Sequence, residues 1–437
     1  MTTRMNKRIS PKQGFTLVEM MVALTAGAIA MTSIYYVSAA SSQHFHEQQM
    51  IANMQTALRL AIDRVRSDLQ RAAFLGSVNP GIQDEGAFCG GTYGSAANGL
   101  MGQGVWLVDG AYTSQLIEPV VNTDIEADQL RMVGNYATAD EYYAEVIDTN
   151  RLRVDIQRQS FRRSFGTSDL TSHEYDAAFE DAFAPGRGVR IVGSTGRVSL
   201  HQITTVDGDA GAGPEFTIAP DITGIAPTCM TLGDDVLVAP QVRIEYYVST
   251  WKNAAGEKFH GSDVLTGQNA PALMRRELAW HSDVTKVNEM ADATLVPPAD
   301  FSNNQQVVLE HVAHFDVDFF RDLRLDLTVK PDATAGTADA PPFFQGDTVA
   351  DVTNSLHSIA SVSAGTALGP HRVRSAIVEL SVRAPSEDPR FAWIARGVGA
   401  PLTRYEIDPD VPGAARVRTV RTEVFLPNFA YRGKIGD

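Results

Sequence analysis

The N-terminal part of this sequence lacks two things that a soluble segment normally contains. No charged side chain occurs between residues 20 and 40, and no proline occurs between Pro11 and Pro80. A 21-residue helix without charge spans roughly 32 Å, which is enough to cross the hydrocarbon core of a bilayer. Proline is the residue that most often breaks a helix. Its absence therefore allows one long helix to run from the apolar stretch into the residues that follow.

Positive charge and cysteine are also scarce. The chain has 37 Lys and Arg against 52 Asp and Glu, a net charge of −15. Removal of the first 14 residues, which carry four basic side chains and no acid, would take that charge to −19. A strongly acidic chain does not bind nucleic acid through its overall field, so we predict no nucleic-acid partner. In an exported chain the two cysteines, Cys89 and Cys229, could form a disulfide or remain two unpaired thiols.

The motifs of several enzyme and metal-site classes are missing or incomplete. The segment 310–314 has the order Glu-His-Val-Ala-His, whereas a zinc-protease helix needs His-Glu-x-x-His. Residues 249–252 match Ser-x-x-Lys, but the partner motifs of penicillin-recognising enzymes are absent. The acidic loop 206–215 does not have the spacing of an EF-hand and is better explained as a hairpin. We therefore expect no enzyme activity, no cofactor and no metal site.

A basic leader precedes the apolar stretch. It contains Arg4, Lys7, Arg8 and Lys12 without an acid, which predicts that the N-terminus stays in the cytoplasm while the rest is exported. Glu19 stands at the head of the apolar stretch, where an ionised carboxylate in hydrocarbon costs about 2.5–3.5 kcal/mol. It could remain hydrated at the interface. Alternatively, it could pair with a cation, such as an α-amine created by cleavage just before Phe15.

The segment Gly14-Phe15-Thr16-Leu17-Val18-Glu19 resembles the class III signal of type IV prepilins and pseudopilins. The resemblance implies that prepilin peptidase cleaves between Gly14 and Phe15 and N-methylates Phe15. It further implies that Glu19 neutralises the Phe15 amine of a neighbouring subunit in a filament. An ordinary secretory signal with a cleavage site at 37–39 is the alternative. The apolar region is longer than such signals usually have, and helical periodicity continues past residue 40.

Residues 41–75 predict the second half of the same helix. Apolar residues recur every three or four positions, which marks one buried stripe: Met50, Met54, Leu58, Ala61, Ile62, Val65, Leu69 and Ala72. Gly76 and the following Asn-Pro-Gly at 79–81 supply the stop. We predict one helix of about 60 residues that is apolar all round in its first half and amphipathic in its second.

The rest of the chain predicts a β-rich head. Strand patterns occur at 104–108, 129–133, 151–158, 189–192, 198–206, 215–218, 242–248, 272–278, 307–320, 372–384 and 418–429, with a short helix at 174–183. The order of the strand motifs in 236–430 is similar to that of minor pilins of the PilW type and of the J pseudopilin of type II secretion. This resemblance implies an α+β architecture, the type IV pilin fold, in which the helix packs on an antiparallel sheet.

The resemblance divides the chain into four parts. Residues 1–14 are the leader, 15–75 the helix, 76–235 an enlarged first part of a periplasmic head, and 236–437 its sheet core with a flexible loop at 330–369. The implied function is that of a minor pilin that primes or caps a filament tip from the inner membrane. Its partners would be prepilin peptidase, other minor pilins, the major pilin and a tip adhesin. A type II secretion pseudopilin and a membrane-anchored periplasmic enzyme are the alternatives.

Overall fold

The structure is a computed structural model that describes residues 16–77, 89, 104–108, 127–166, 174–225, 229–250, 271–280, 306–321, 345–346, 373–394, 402–407 and 413–430. The helices are α1 (Leu17–Arg71), α2 (Gln159–Phe165), α3 (Asp176–Ala182), α4 (Ile222–Ile225) and α5 (Pro427–Ala430). The strands are β1 (Val105–Val108), β2 (Gln129–Gly134), β3 (Tyr142–Asp148), β4 (Arg151–Val154), β5 (Gly188–Val192), β6 (Val198–Asp207), β7 (Glu215–Ala219), β8 (Asp235–Thr250), β9 (Pro271–Leu278), β10 (Gln306–Glu310), β11 (Val312–Arg321), β12 (Gln345–Gly346), β13 (Val373–Arg383), β14 (Arg404–Tyr405) and β15 (Ala415–Phe425).

The chain forms two compact units, residues 1–56 and residues 57–437. The first contains most of α1, whose apolar side chains are exposed from Leu17 to Val37. The second contains the last turns of α1 together with all of the strands. In those turns Leu58, Ala61, Val65 and Leu69 are almost fully buried, as the apolar stripe in the sequence predicts.

The first sheet of the head has the strand order β1-β2-β8-β9-β10, and all of its neighbours are antiparallel. A second sheet has the order β12-β11-β13-β15-β14. The chain passes from one to the other between β10 and β11, where His311 adopts a left-handed backbone conformation (φ 56°). Ala127 also bridges to Phe315, so β2 begins next to β11.

Strands β3 to β8 close into a six-stranded barrel with the order β3-β4-β7-β6-β5-β8, completed by the pairing of β8 with β3. Strands β5, β6 and β7 follow one another and β8 returns beside β5, which is a Greek-key connection. Each of these six strands has a partner on both sides, so closure leaves no free edge in this ring.

The barrel interior is filled by side chains from alternate strand positions and from two helices. In β3, for example, Tyr142, Ala144 and Val146 are buried while the residues between them face outward. Phe161 of α2, Phe179 of α3 and Phe183, the residue that follows α3, are fully buried in this interior. The ring of Phe183 stacks on Phe216 of β7 with centroids 5.1 Å apart. The barrel therefore has a packed aromatic core of its own.

The long strand β8 belongs to both the barrel and the first sheet. Residues 235–241 pair with β3 and β5, whereas residues 242–250 pair with β2 and β9. The observed architecture is a long N-terminal apolar helix with a β-rich head, which is mixed α+β as predicted. The barrel departs from a single pilin-type sheet. Its strands β3 to β7 lie within residues 76–235, which the sequence predicted only as an enlargement, and β8 comes from the predicted sheet core 236–437. The predicted loop at 330–369 lies outside the described residues except for β12.

Candidate functional site

The predicted processing site and its neighbours fall into two groups. Gly14 and Phe15 lie outside the described residues, so the cleavage site stays a prediction. Thr16 and Glu19 are described, and they begin α1 as a reciprocal cap. The backbone N–H and the hydroxyl of Thr16 both donate to Glu19 Oε2 at 2.9 Å, and the Glu19 N–H donates to Thr16 Oγ1 at 3.2 Å. This is the capping-box arrangement, which satisfies N–H groups that a helix start leaves unpaired.

In this arrangement one of the two carboxylate oxygens of Glu19, Oε2, accepts hydrogen bonds from its own chain. Both of the donors that reach it come from Thr16. A carboxylate at the first turn of a helix also interacts favourably with the positive end of the helix dipole. Glu19 thus has a local structural role in addition to the pairing role that the sequence resemblance implied. The Thr-x-x-Glu spacing is itself the sequence signal for this cap.

Helix α1 contains a stretch that is long and apolar enough to cross a membrane, judged by length and composition among the described residues. None of that stretch is buried against the rest of the chain. Leu24, Ile29, Ile34 and Tyr36, for example, each expose more than two thirds of their surface. An apolar surface of this extent without a partner is typical of a segment that lies in lipid or packs against other helices.

The end of α1 is held by a buried polar cluster on the first sheet. Asp68 Oδ2 accepts hydrogen bonds from the Tyr246 hydroxyl and from Arg275 Nε, both at 2.7 Å. The side chains of Asp68 and Arg275 expose only 9% and 13% of their surface. Burial and the nearby Asp68 carboxylate raise the pKa of Tyr246. Burial alone would lower the pKa of Arg275, but Asp68 outweighs it and the pKa is raised. In the buried part of the cluster, the Asp68 carboxylate thus faces the guanidinium group of Arg275.

The last carbonyl groups of α1 are capped by residues that lie far away in the sequence. Asn428 Nδ2 donates to Gln70 O at 3.0 Å and to Ala72 O at 2.9 Å. The Tyr136 hydroxyl donates to Asp68 O at 2.8 Å. The last four carbonyl groups of a helix have no partner within the helix, so these donors replace water at its end. Asn428 lies in α5, within the segment 418–429 that the sequence predicted as a strand, and its capping role was not predicted.

Close approach at the end of α1 depends on a glycine. A Cβ atom on Gly134 would lie 2.6 Å from Arg71 O, which is closer than real side chains come to a backbone oxygen. The absent side chain allows β2 to reach the helix end, where Ala73 N–H donates to Val133 O at 2.7 Å. Any substitution of Gly134 would therefore push the helix end away from β2.

The opposite face of the first sheet carries a buried charge network. Arg131, Glu245 and Arg276 lie directly opposite one another on β2, β8 and β9. Glu245 is fully buried and accepts hydrogen bonds from both guanidinium groups and from Gln129. Burial alone would raise the pKa of Glu245, but the two arginines outweigh it and the pKa is lowered. The arginines in turn stack on Trp106 and Tyr247. The three side chains thus meet in the same register in which the backbones of the three strands pair.

The two cysteines, the acidic loop 206–215 and the histidines at 311 and 314 were the other candidates in the sequence. Cys89 and Cys229 are joined as a disulfide with Cα atoms 5.6 Å apart, beside the barrel core. The acidic loop 206–215 is the β6–β7 hairpin. His314 is buried with its Nε2 3.9 Å from Glu379 Oε1. Within the described ranges, no group of three or more His, Cys, Asp or Glu is placed to hold a metal ion.

The comparison with protein families finds one local match. The family described as "Prokaryotic N-terminal methylation motif" matches residues 9–35, which include Gly14, Phe15, Thr16 and Glu19. No curated protein and no solved structure matches the chain. The segment 9–35 is thus similar to the N-terminus of type IV pilin-like proteins and pseudopilins, which prepilin peptidase processes. This likeness covers the start of the chain and does not extend to the head.

Proposed function

We propose that this chain is a minor type IV pilin, of the PilW type, that is processed by prepilin peptidase and takes part in filament assembly. The observation that carries the proposal is the methylation motif at residues 9–35, which ends inside the uncharged and exposed half of α1. A cleavable leader followed by an exposed apolar helix suits a subunit that waits in the inner membrane and later packs its helix against other helices. The large head suits a subunit that primes or caps the tip.

The proposal assigns separate tasks to three N-terminal residues. Gly14 supplies close backbone access for the peptidase, and Phe15 becomes the N-methylated first residue of the mature chain. Glu19 caps α1 through Thr16 before assembly, and in the filament it neutralises the Phe15 amine of an adjacent subunit. A paired amine and carboxylate places no isolated charge in the apolar surroundings.

The mature N-terminus is the first measurement to make. Mass spectrometry of protein extracted from membranes of the native host should find N-methylated Phe15 as the first residue. An N-terminus near residue 40 would instead mean an ordinary secreted protein, and the filament proposal would be abandoned. An uncleaved chain would argue for a plain membrane anchor.

The role of Glu19 is tested by two substitutions that separate charge from capping. Gln at this position can still accept the Thr16 hydrogen bonds but carries no charge. Ala can neither accept these hydrogen bonds nor carry a charge. If Glu19 pairs with an amine, Glu19→Gln and Glu19→Ala are both cleaved normally and both enter filaments poorly, as measured by immunoblot of sheared filaments. Wild-type incorporation of Glu19→Gln would show that capping alone matters. Thr16→Ala is the matched control, because it removes the cap hydroxyl and keeps the charge.

A type II secretion pseudopilin is the second candidate, since the same motif is shared by both classes. Deletion of the gene in the native host distinguishes them. Loss of surface filaments with normal protein secretion supports the pilin, whereas loss of secreted enzymes with normal filaments supports the pseudopilin.

A further inference from the structure

The barrel occupies an unusual place in the chain. Strands β2 and β8 are direct antiparallel neighbours in the first sheet, and their pairing ends at Gly134 opposite Val242. The chain leaves the sheet at one of these residues and returns at the other. The described residues between them form a short connector at 135–141 and the barrel. In this position a simple hairpin would need a loop of only two to five residues. The barrel is thus inserted at the tip of a β2–β8 hairpin.

The barrel core is separate from the core of the two sheets. The buried apolar cluster inside the barrel consists of Cys89 and residues between Tyr142 and Val238. Apart from Val236 and Val238 in the barrel half of β8, no described residue of α1, of the two sheets or of α5 is part of this cluster. The disulfide joins Cys89 to Cys229 within the same core. A segment with its own core and adjacent chain ends has the properties of an inserted domain.

The residues that anchor α1 lie outside the barrel. Asp68 is held by Tyr246 and Arg275 of the first sheet, and the helix carbonyls are capped by Asn428 and by Tyr136 of the connector. The connector also receives Arg71, whose guanidinium group donates to Asn135 O and Thr138 O. Within the described residues, the barrel contacts its surroundings at several places. Gln241 donates to Leu75 O, Arg187 pairs with Glu277, and Trp280 packs over Gly188.

We propose that residues 140–240 are an inserted domain that unfolds independently of the two sheets and is dispensable for processing and assembly. Its surface is then available for a task other than assembly. The segment has sixteen Asp and Glu against eight Arg, so it carries −8 of the net charge of −15. The first half of the proposal rests on the fold alone. The second half rests on the proposed function.

Independent unfolding is tested in the full chain with a matched pair of core substitutions. Phe179 lies in the barrel core and Phe315 in the core of the second sheet, and both are fully buried. Phe179→Ala should accelerate amide hydrogen exchange in β3 to β7 by at least about 100-fold and leave β13 and β15 within about threefold of the wild type. Phe315→Ala should do the reverse. Equal acceleration of all strands by either variant would overturn the proposal.

Dispensability is tested by deletion. Tyr142 on β3 lies opposite Val238 on β8, so the two chain ends at the barrel entrance are close enough for a tight turn. Residues 140–240 are replaced by Asn-Gly, which favours a two-residue hairpin, and Cys89 is changed to Ser because its partner is removed. The connector residues 135–139 stay in place. Trp280 becomes exposed, so protection of α1 residues 57–71 from exchange is measured first to establish that the head is folded.

The deletion variant should be cleaved and should enter filaments at the wild-type level to within about twofold. A folded variant that is cleaved but excluded from filaments would overturn dispensability. A variant that loses protection in α1, β13 and β15 would overturn independence. The full-length chain serves as the control for the proposed function: if it is itself absent from filaments, the pilin assignment fails, while the exchange experiment still decides whether the barrel is an independent domain.

Discussion

The anchoring of α1 can be tested quantitatively at the pair formed by Asp68 and Arg275. Arg275→Met keeps an unbranched, flexible side chain and removes the guanidinium group with its charge. The Asp68 carboxylate, which is only 9% exposed, then keeps two partners. These are the Tyr246 hydroxyl and the half-exposed Arg64, whose Nε lies 3.8 Å from Asp68 Oδ2. Breaking a buried pair by removing one member costs about 3–5 kcal/mol, because the remaining charge is desolvated without compensation. We expect the free energy of opening of residues 57–71 to fall by this amount.

The reciprocal change costs less. Asp68→Asn removes the charge from the helix and keeps an oxygen that can accept from Tyr246, so a loss of about 1–3 kcal/mol is expected. In the double variant neither buried charge remains. The two losses should therefore sum to more than the measured value, with a coupling energy of about 1–3 kcal/mol.

The assay is hydrogen exchange of the last turns of α1 in the detergent-solubilised full chain, in which opening free energies can be read residue by residue. Arg64→Met is the matched control, because this arginine approaches the same carboxylate from the half-exposed surface and should change stability by less than about 0.5 kcal/mol. Additive losses in the cycle, or an Arg275→Met variant as stable as the control, would refute the view that this pair anchors the helix.

Three further predictions concern single residues. Asn428→Ala removes both side-chain caps and should destabilise the end of α1 by about 1–2 kcal/mol, measured as faster exchange at residues 68–71. Asn428→Asp should show the same loss, because a carboxylate cannot donate to the two carbonyl groups. Wild-type exchange in Asn428→Asp would show that the contacts do not need a donor. Burial lowers the pKa of His201 to about 4, below its usual 6.5, so barrel stability should be complete above pH 6.5 and fall by about 1.4 kcal/mol per pH unit between 6.5 and 4. His201→Gln should remove this slope in thermal unfolding. The pKa of Glu245 is lowered instead, so its contribution is present above pH 4.5 and lost as the pH falls further, and Glu245→Gln should abolish that acid-side loss.

Local patterns in the sequence were sufficient to predict most of the secondary structure. The absence of proline and the apolar stripe gave α1, which ends at Arg71 close to the predicted stop at Gly76. Short apolar strand patterns predicted β2, β5 and β6 within a few positions. The predicted helix at 174–183 is α3. These features depend on near neighbours in the chain, which is why a single sequence contains them.

Long-range pairing could not be predicted in the same way. Closure of the barrel depends on β4 pairing with β7 and on β8 pairing with both β3 and β5, and a strand pattern does not specify its partner. The partners of the polar residues at the end of α1 could not be predicted for the same reason. Asp68 is 207 positions from Arg275, and Gln70 is 358 positions from Asn428. An isolated Asp on a helix or Asn after a strand has no local feature that marks it as part of an anchor.

The same long separations bear on how the head is completed. Asn428 can cap α1 only when α5 is in place, and α5 is held by Arg374 of β13, whose guanidinium group donates to Phe429 O at 3.1 Å. The cap therefore requires the second sheet, although α1 lies at the other end of the sequence. The barrel, by contrast, adds no donor to the helix carbonyls that Tyr136 and Asn428 occupy. Destabilising substitutions in β13 should therefore lower the stability of the end of α1, whereas destabilising substitutions in the barrel should not. The second sheet and the barrel are thus unequally coupled to the helix that carries the methylation motif.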